Sequence, residues 1–278
     1  MSDLTYLDSV VLGIVEGLTE FLPVSSTGHL TIAEKLLGLP VDDPAVTSYT
    51  AVVQLGAIVA TLLYFRDDIL RLLVAWTGGL RDAGRRDHPD YRLAWVVIVG
   101  SIPVAVVGLA ARGLITGPLR SLWVVAAALI AWSAVMWFAE SRATQSRGES
   151  ELTLRDGLFI GSMQCFSLIP GVSRSGATIS AGLLRGVDRV TATRLSFFMA
   201  IPALTAAGLY ELKDVDTSVV GAGQIVVGIV VSFAVALASI AWLLRFVQRH
   251  PITVFVWYRV ALGVVLLGAL GTGALTAT

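Results

Sequence analysis

Cysteine and histidine are nearly missing from this sequence: there is one Cys, at 165, and there are three His in 278 residues. A lone thiol excludes an intramolecular disulfide and any cysteine-based metal cluster, and Cys165 reads as a small packing residue. Charge is scarce as well. Asp, Glu, Lys and Arg make up 14% of the chain and cancel to a formal net charge of 0, where soluble domains carry about 25%. There is no glycine-rich nucleotide loop, no cluster of metal-binding histidines and no nucleic-acid signature, so no nucleic-acid partner is expected. Met1 to Asp8 holds two aspartates and no Lys or Arg, and Glu16 and Glu20 interrupt the apolar run behind it. A cleavable signal peptide is therefore not expected.

What is present is apolar. Hydrophobic residues are 55% of the chain and the mean hydropathy is +0.79, which reads as an all-α integral membrane protein. Runs long enough to cross about 30 Å of hydrocarbon lie at 45–65, 93–112, 119–139, 191–211, 220–244 and 252–275, giving six transmembrane helices. The stretches 4–38 and 156–186 are also apolar, but Pro23 and Pro170-Gly171 break them. Each reads as a re-entrant pair of short helices, because proline lacks the N–H that helix continuation needs and irregular backbone at that depth has to be lined by protein or water. The whole of 1–278 reads as a single polytopic membrane domain, with one repeat over about 1–140 and a second over about 150–278.

Arginine distribution orients these segments. Arg66, Arg71, Arg81, Arg85, Arg86 and Arg92 crowd one loop, and Arg142, Arg147 and Arg155 the next. Arg185, Arg189 and Arg194 follow, then Arg245 and Arg249, leaving Lys35, Arg112, Arg120 and Lys213 for the other face. The positive-inside rule makes the arginine-rich side cytoplasmic and puts both termini outside. Three spans separate the two broken segments, so the second enters from the opposite side. This predicts an inverted-topology repeat whose unwound tips meet. The loops 82–91 and 141–151 read as solvated connectors, with Arg81, Arg85 and Arg86 near anionic lipid head groups. Arg259 and Glu140, near span ends, read as snorkelling side chains. The seven tryptophans read mostly as interface anchors.

The chemistry concentrates in Glu16-Gly17-Leu18-Thr19-Glu20-Phe21-Leu22-Pro23-Val24-Ser25-Ser26-Thr27-Gly28-His29-Leu30. Glu16 and Glu20, spaced i,i+4, share one helical face. Two ionised carboxylates so close repel each other unless a cation or proton lies between them, which predicts a divalent ion with oxygen ligands, Mg²⁺ or Ca²⁺. Ser25, Ser26 and Thr27 fall where a new helix starts, and its free N–H groups attract an anion. His29 follows within reach of both serine hydroxyls and is the candidate proton-transfer group for an attacking serine, Ser25 or Ser26. Adding 148 to each number superposes Gly13, Glu16, Val24, Ser25, Ser26, Thr27, Gly28 and His29 on Gly161, Gln164, Val172, Ser173, Arg174, Ser175, Gly176 and Ala177 without a gap. The second copy, Pro170-Gly171-Val172-Ser173-Arg174-Ser175-Gly176-Ala177-Thr178, lacks the acids and the histidine. It gains Arg174, whose planar fork suits phosphate, flanked by Ser173 and Ser175. Gln54 and Gln164 read as single polar groups that bond across helices.

Both segments, together with Val53-Gln54-Leu55-Gly56-Ala57 and Ala200-Ile201-Pro202-Ala203, closely resemble the signature motifs of the bacterial undecaprenyl-pyrophosphate phosphatases of the bacitracin-resistance type, over nearly the whole chain. The resemblance implies hydrolysis of the C55 polyprenyl diphosphate carrier to its monophosphate, in the plasma membrane, with the site opening to the outer, periplasmic side. It implies Ser26 rather than Ser25 as the nucleophile, and Glu16, Glu20, His29 and Arg174 as the other catalytic residues. Ser25, Thr27, Ser173 and Ser175 would lie around the phosphates. The competing reading is a lipid-phosphate flippase, which an inverted repeat also suits. Membrane lipids are expected partners, and pairing of two copies as a homodimer is left open.

Overall fold

The computed structural model describes residues 4–41, 43–115, 117–211 and 221–277; Lys213 lies outside them. Among the described residues the chain is helical throughout, with no named strand. The elements are α1 (Tyr6–Thr19), α2 (Ser26–Leu36), α3 (Pro44–Tyr64), α4 (Arg66–Arg81), α5 (Pro89–Ala110), α6 (Arg112–Ile115), α7 (Leu122–Arg142), α8 (Leu154–Gln164), α9 (Arg174–Leu184), α10 (Arg189–Glu211), α11 (Ala222–Val247) and α12 (Thr253–Gly271). Six of these, α3, α5, α7, α10, α11 and α12, are long and apolar enough to cross a membrane. The molecule is a multi-pass membrane protein.

The two proline breaks divide their segments as expected. α1 gives way at Glu20, three residues before Pro23, and α2 restarts at Ser26; α8 ends at Gln164 in a 3-10 turn before Pro170, and α9 restarts at Arg174. Glycines let these short helices lie close to long ones. A Cβ at Gly161 of α8 would sit 2.0 Å from the Gly100 carbonyl oxygen of α5, so only glycine fits this crossing. The main packing partners cross between the halves of the sequence: α1 and α3 on α11, α7 on α12, and α5 on α8.

Three expectations fail. Residues 66–81 are not loop but an amphipathic helix, α4, in which Leu70, Leu73, Val74 and Leu80 are exposed between the arginines. The connection 141–151 is solvated as expected, with none of its residues buried, yet it is tied down, for Arg147 exchanges backbone bonds with Gly186 and Asp188 (3.1 and 2.9 Å). Its side chain also reaches Asp156 at 2.6 Å. Glu140 does not snorkel; it pairs with Arg189 and accepts from the Ile252 amide at 3.1 Å. Trp132 is likewise buried against Phe166 rather than anchoring at an interface.

Candidate active site

The two broken segments end in the same local structure. Ser25 and Ser173 are the N-caps of α2 and α9, and each side chain accepts from the backbone N–H three residues on, Gly28 at 3.3 Å and Gly176 at 3.1 Å. Both serines have positive φ, 78° and 79°. A side chain bears that conformation at a cost of about 1–3 kcal/mol, and such strain concentrates at functional sites. Gly171 (φ 99°) is needed where it stands, since a Cβ would lie 2.5 Å from the Val125 carbonyl oxygen.

The turns meet. The Gly171 amide donates to Ser25 Oγ at 3.1 Å, and Ser175 Oγ donates to the Leu22 carbonyl at 3.0 Å. Arg174 reaches Glu20 Oε1 through Nη2 (2.9 Å) and Nε (3.3 Å), and its Nη1 donates to the Ser196 carbonyl at 2.9 Å. The other oxygen of Glu20 accepts from Ser26 Oγ at 2.6 Å and from Gln54 Nε2 at 3.2 Å. One carboxylate thus joins an arginine, a hydroxyl and an amide from three elements, α9, α2 and α3. Ser173 Oγ lies 3.1 Å from Ser175 Oγ. Thr27 stays exposed on the first turn of α2.

Glu16 and Glu20 are both buried, but in different circumstances. Glu20 has the partners just named, whereas neither carboxylate oxygen of Glu16 has a hydrogen-bond partner. Its counterpart Gln164 is also buried, with both amide atoms unpartnered. A buried unpaired carboxylate is costly, so the unpartnered oxygens of Glu16 are of a chemistry that suits a cation or a proton. Among the described residues no group of three or more His, Cys, Asp or Glu side chains forms a complete metal cage.

Neither ring nitrogen of His29 has a serine hydroxyl as its hydrogen-bond partner. Its Nδ1 lies 2.7 Å from the Ser25 backbone carbonyl and its Nε2 2.7 Å from the Tyr258 hydroxyl, the two rings nearly parallel at 12°. The next residue, Arg259, corrects the snorkelling expectation outright: it is fully buried. Its Nη1 donates to the Pro23 carbonyl (3.1 Å), its Nη2 to those of Gly171 (2.8 Å) and Leu129 (3.4 Å), and its Nε to Ser133 Oγ (3.2 Å). One side chain therefore fastens the turn at Pro23 to the turn at Gly171. Gln54 bonds across helices as expected, and its partner is Glu20; Tyr258, Arg259 and Ser196 join the site without having been predicted to, and among these three an arginine inside a transmembrane run was the one available signal.

The family model for the bacitracin resistance protein BacA matches residues 9–265. The chain is 58% identical over 275 residues to undecaprenyl-diphosphatase 3 of Frankia casuarinae, covering 98% of this chain and 99% of that one. It is 57% identical over 276 residues to undecaprenyl-diphosphatase 1 of Streptomyces coelicolor, 99% of each chain. It is 50% identical over 280 residues to the undecaprenyl-diphosphatase of a Mycobacterium species, 99% of this chain and 100% of that one.

Proposed function

The chain belongs to the bacitracin resistance protein BacA family, and from that premise we infer that it is an undecaprenyl-diphosphatase, hydrolysing the C55 polyprenyl diphosphate to undecaprenyl phosphate and inorganic phosphate. The observation that supports a phosphatase over a carrier is the Ser26 hydroxyl, 2.6 Å from Glu20 Oε2, with Arg174 on the opposite oxygen of the same carboxylate. A nucleophile, a proton acceptor and an anion-binding fork stand together, and transport alone has no need of the first two.

In this reading Ser26 Oγ attacks the terminal phosphorus while its proton passes to Glu20. The bond from phosphorus to the bridging oxygen breaks, and undecaprenyl phosphate leaves with that oxygen. Water then cleaves the phosphoserine and frees inorganic phosphate. Arg174 and the amides at the starts of α2 and α9 hold the phosphoryl oxygens, with Ser25, Thr27, Ser173 and Ser175 around them. Glu16, with Glu20, would hold a divalent ion. The unpartnered oxygens of Glu16 fit one, and Mg²⁺ in particular needs only one or two carboxylates beside substrate phosphates and water. Such an ion would neutralise charge on the diphosphate.

The arginine-rich connections support placing the site toward the outer face of the plasma membrane, both termini outside and the halves inverted. The test is phosphate release from C55 diphosphate by purified protein, with and without chelator, followed by acid quench of substrate labelled at the terminal phosphorus. Wild type should release phosphate and carry label that Ser26→Ala lacks. A purified wild type that releases none would overturn the assignment, and full activity in excess chelator would remove the ion.

A further inference from the structure

His29 has both ring nitrogens engaged, and the partners differ in kind. A backbone carbonyl only accepts, so at 2.7 Å from the Ser25 carbonyl Nδ1 carries the proton. In the neutral ring Nε2 is then the bare, basic nitrogen. At 2.7 Å from it the Tyr258 hydroxyl is the donor. Ser26, meanwhile, gives its hydroxyl proton to Glu20. The site thus holds two separate proton acceptors, Glu20 on Ser26 and His29 Nε2 on the α12 side, and the second is controlled by a residue 229 positions away in sequence.

We propose that Tyr258 is a positioning residue of this active site, acting through His29: the Ser25 carbonyl fixes the Nδ1-protonated ring, and the Tyr258 hydroxyl donates to Nε2 and holds that basic nitrogen in place to accept the proton of the water that cleaves the phosphoserine, while Glu20 serves Ser26. Three observations carry this. The ring of Tyr258 lies nearly parallel to that of His29, with centroids 5.6 Å apart, so the contact fixes the ring plane. The backbone of Tyr258 is held by its neighbour Arg259, whose bonds to the Pro23 and Gly171 carbonyls set the register of α12 against both turns. Tyr258 itself is 49% exposed, so its hydroxyl has room to give way when Nε2 takes a proton. The catalytic part of the proposal rests on the phosphatase reading above; the hydrogen-bond part does not.

Tyr258→Phe removes one oxygen and keeps the ring. In that variant kcat should fall about tenfold, a part of what a whole proton-transfer group contributes, with KM held within about twofold. The structural arm uses ¹⁵N-histidine-labelled protein in a His88→Asn, His250→Gln background, both exposed positions, so that His29 is the sole histidine. Wild type should show a protonated Nδ1 and an unprotonated Nε2 shifted by accepting a hydrogen bond. Tyr258→Phe should move the Nε2 resonance toward that of a free unprotonated nitrogen. A wild-type kcat in Tyr258→Phe overturns the proposal, and so does an unchanged Nε2 resonance. If wild type itself releases no phosphate, the phosphatase reading falls, and the nitrogen spectra still decide whether Tyr258 sets the ring.

Discussion

Arg259 has no carboxylate within ion-pair distance among the described residues; its donors go to three carbonyls and one hydroxyl. A buried guanidinium held this way leaves a positive charge uncompensated behind both turns, a charge that an anionic substrate would offset. Replacing it with methionine keeps most of the volume and strips the donors from the Pro23 and Gly171 carbonyls, at a cost of about 1–3 kcal/mol for each acceptor left unmade. Arg259→Met should therefore lower the thermal midpoint in detergent and abolish most phosphate release. Arg259→Lys should restore only part of either, because a single ammonium lacks the fork that reaches two turns at once. Equal behaviour of Arg259→Met and wild type would show that the turns hold together without it.

At the level of elements, the breaks were legible because proline interrupts an apolar run in a way that no neighbour can repair, and the eight-position repeat marked which breaks belong together. α4 was not legible because Arg66, Arg71 and Arg81 punctuate its apolar residues as they would those of a charged connecting loop. The contacts of α12 were illegible for a different reason: nothing local in Tyr258-Arg259 tells which of many turns, here 88 and 236 residues upstream, it will meet. Asp156, in the first turn of α8 and outside the six spans, is another such hub. Burial alone would push its carboxyl up, yet hydrogen bonds from Arg147, Thr153 and Arg185 outweigh this and hold it well below the usual carboxylate range. A carboxylate depressed in the folded state contributes stability that is fully present above its unfolded value, about 4, and is lost as pH falls toward the folded value. The stability gap between wild type and Asp156→Asn should thus be constant above about pH 5 and narrow steadily below pH 4. Thermal midpoints in detergent across that range check it, and a gap that widens in acid would contradict the clamp.

For the molecule as a whole, orientation is tested by labelling. With Cys165 replaced by Ala, a cysteine at Gly113, where an added Cβ meets nothing within 4 Å, should react with an impermeant reagent applied to intact cells. One at the exposed Ser150, across α7, should not. The reverse pattern would turn the protein over and move its site to the cytoplasmic side. The packing of α1 and α3 on α11, and of α7 on α12, also has a consequence for synthesis. The ribosome delivers Glu16 and Glu20 to the lipid first, Arg174 much later and Arg259 almost last. During that interval Glu20 lacks its cationic partner, and both acids lack the helix that will cover Gly13 and Gly17. The nascent first half is therefore an incomplete object in the bilayer, dependent on protonation or on the insertion machinery for shelter. Any chain that stops short of α12 lacks the Arg259 bonds that fasten its two turns from behind.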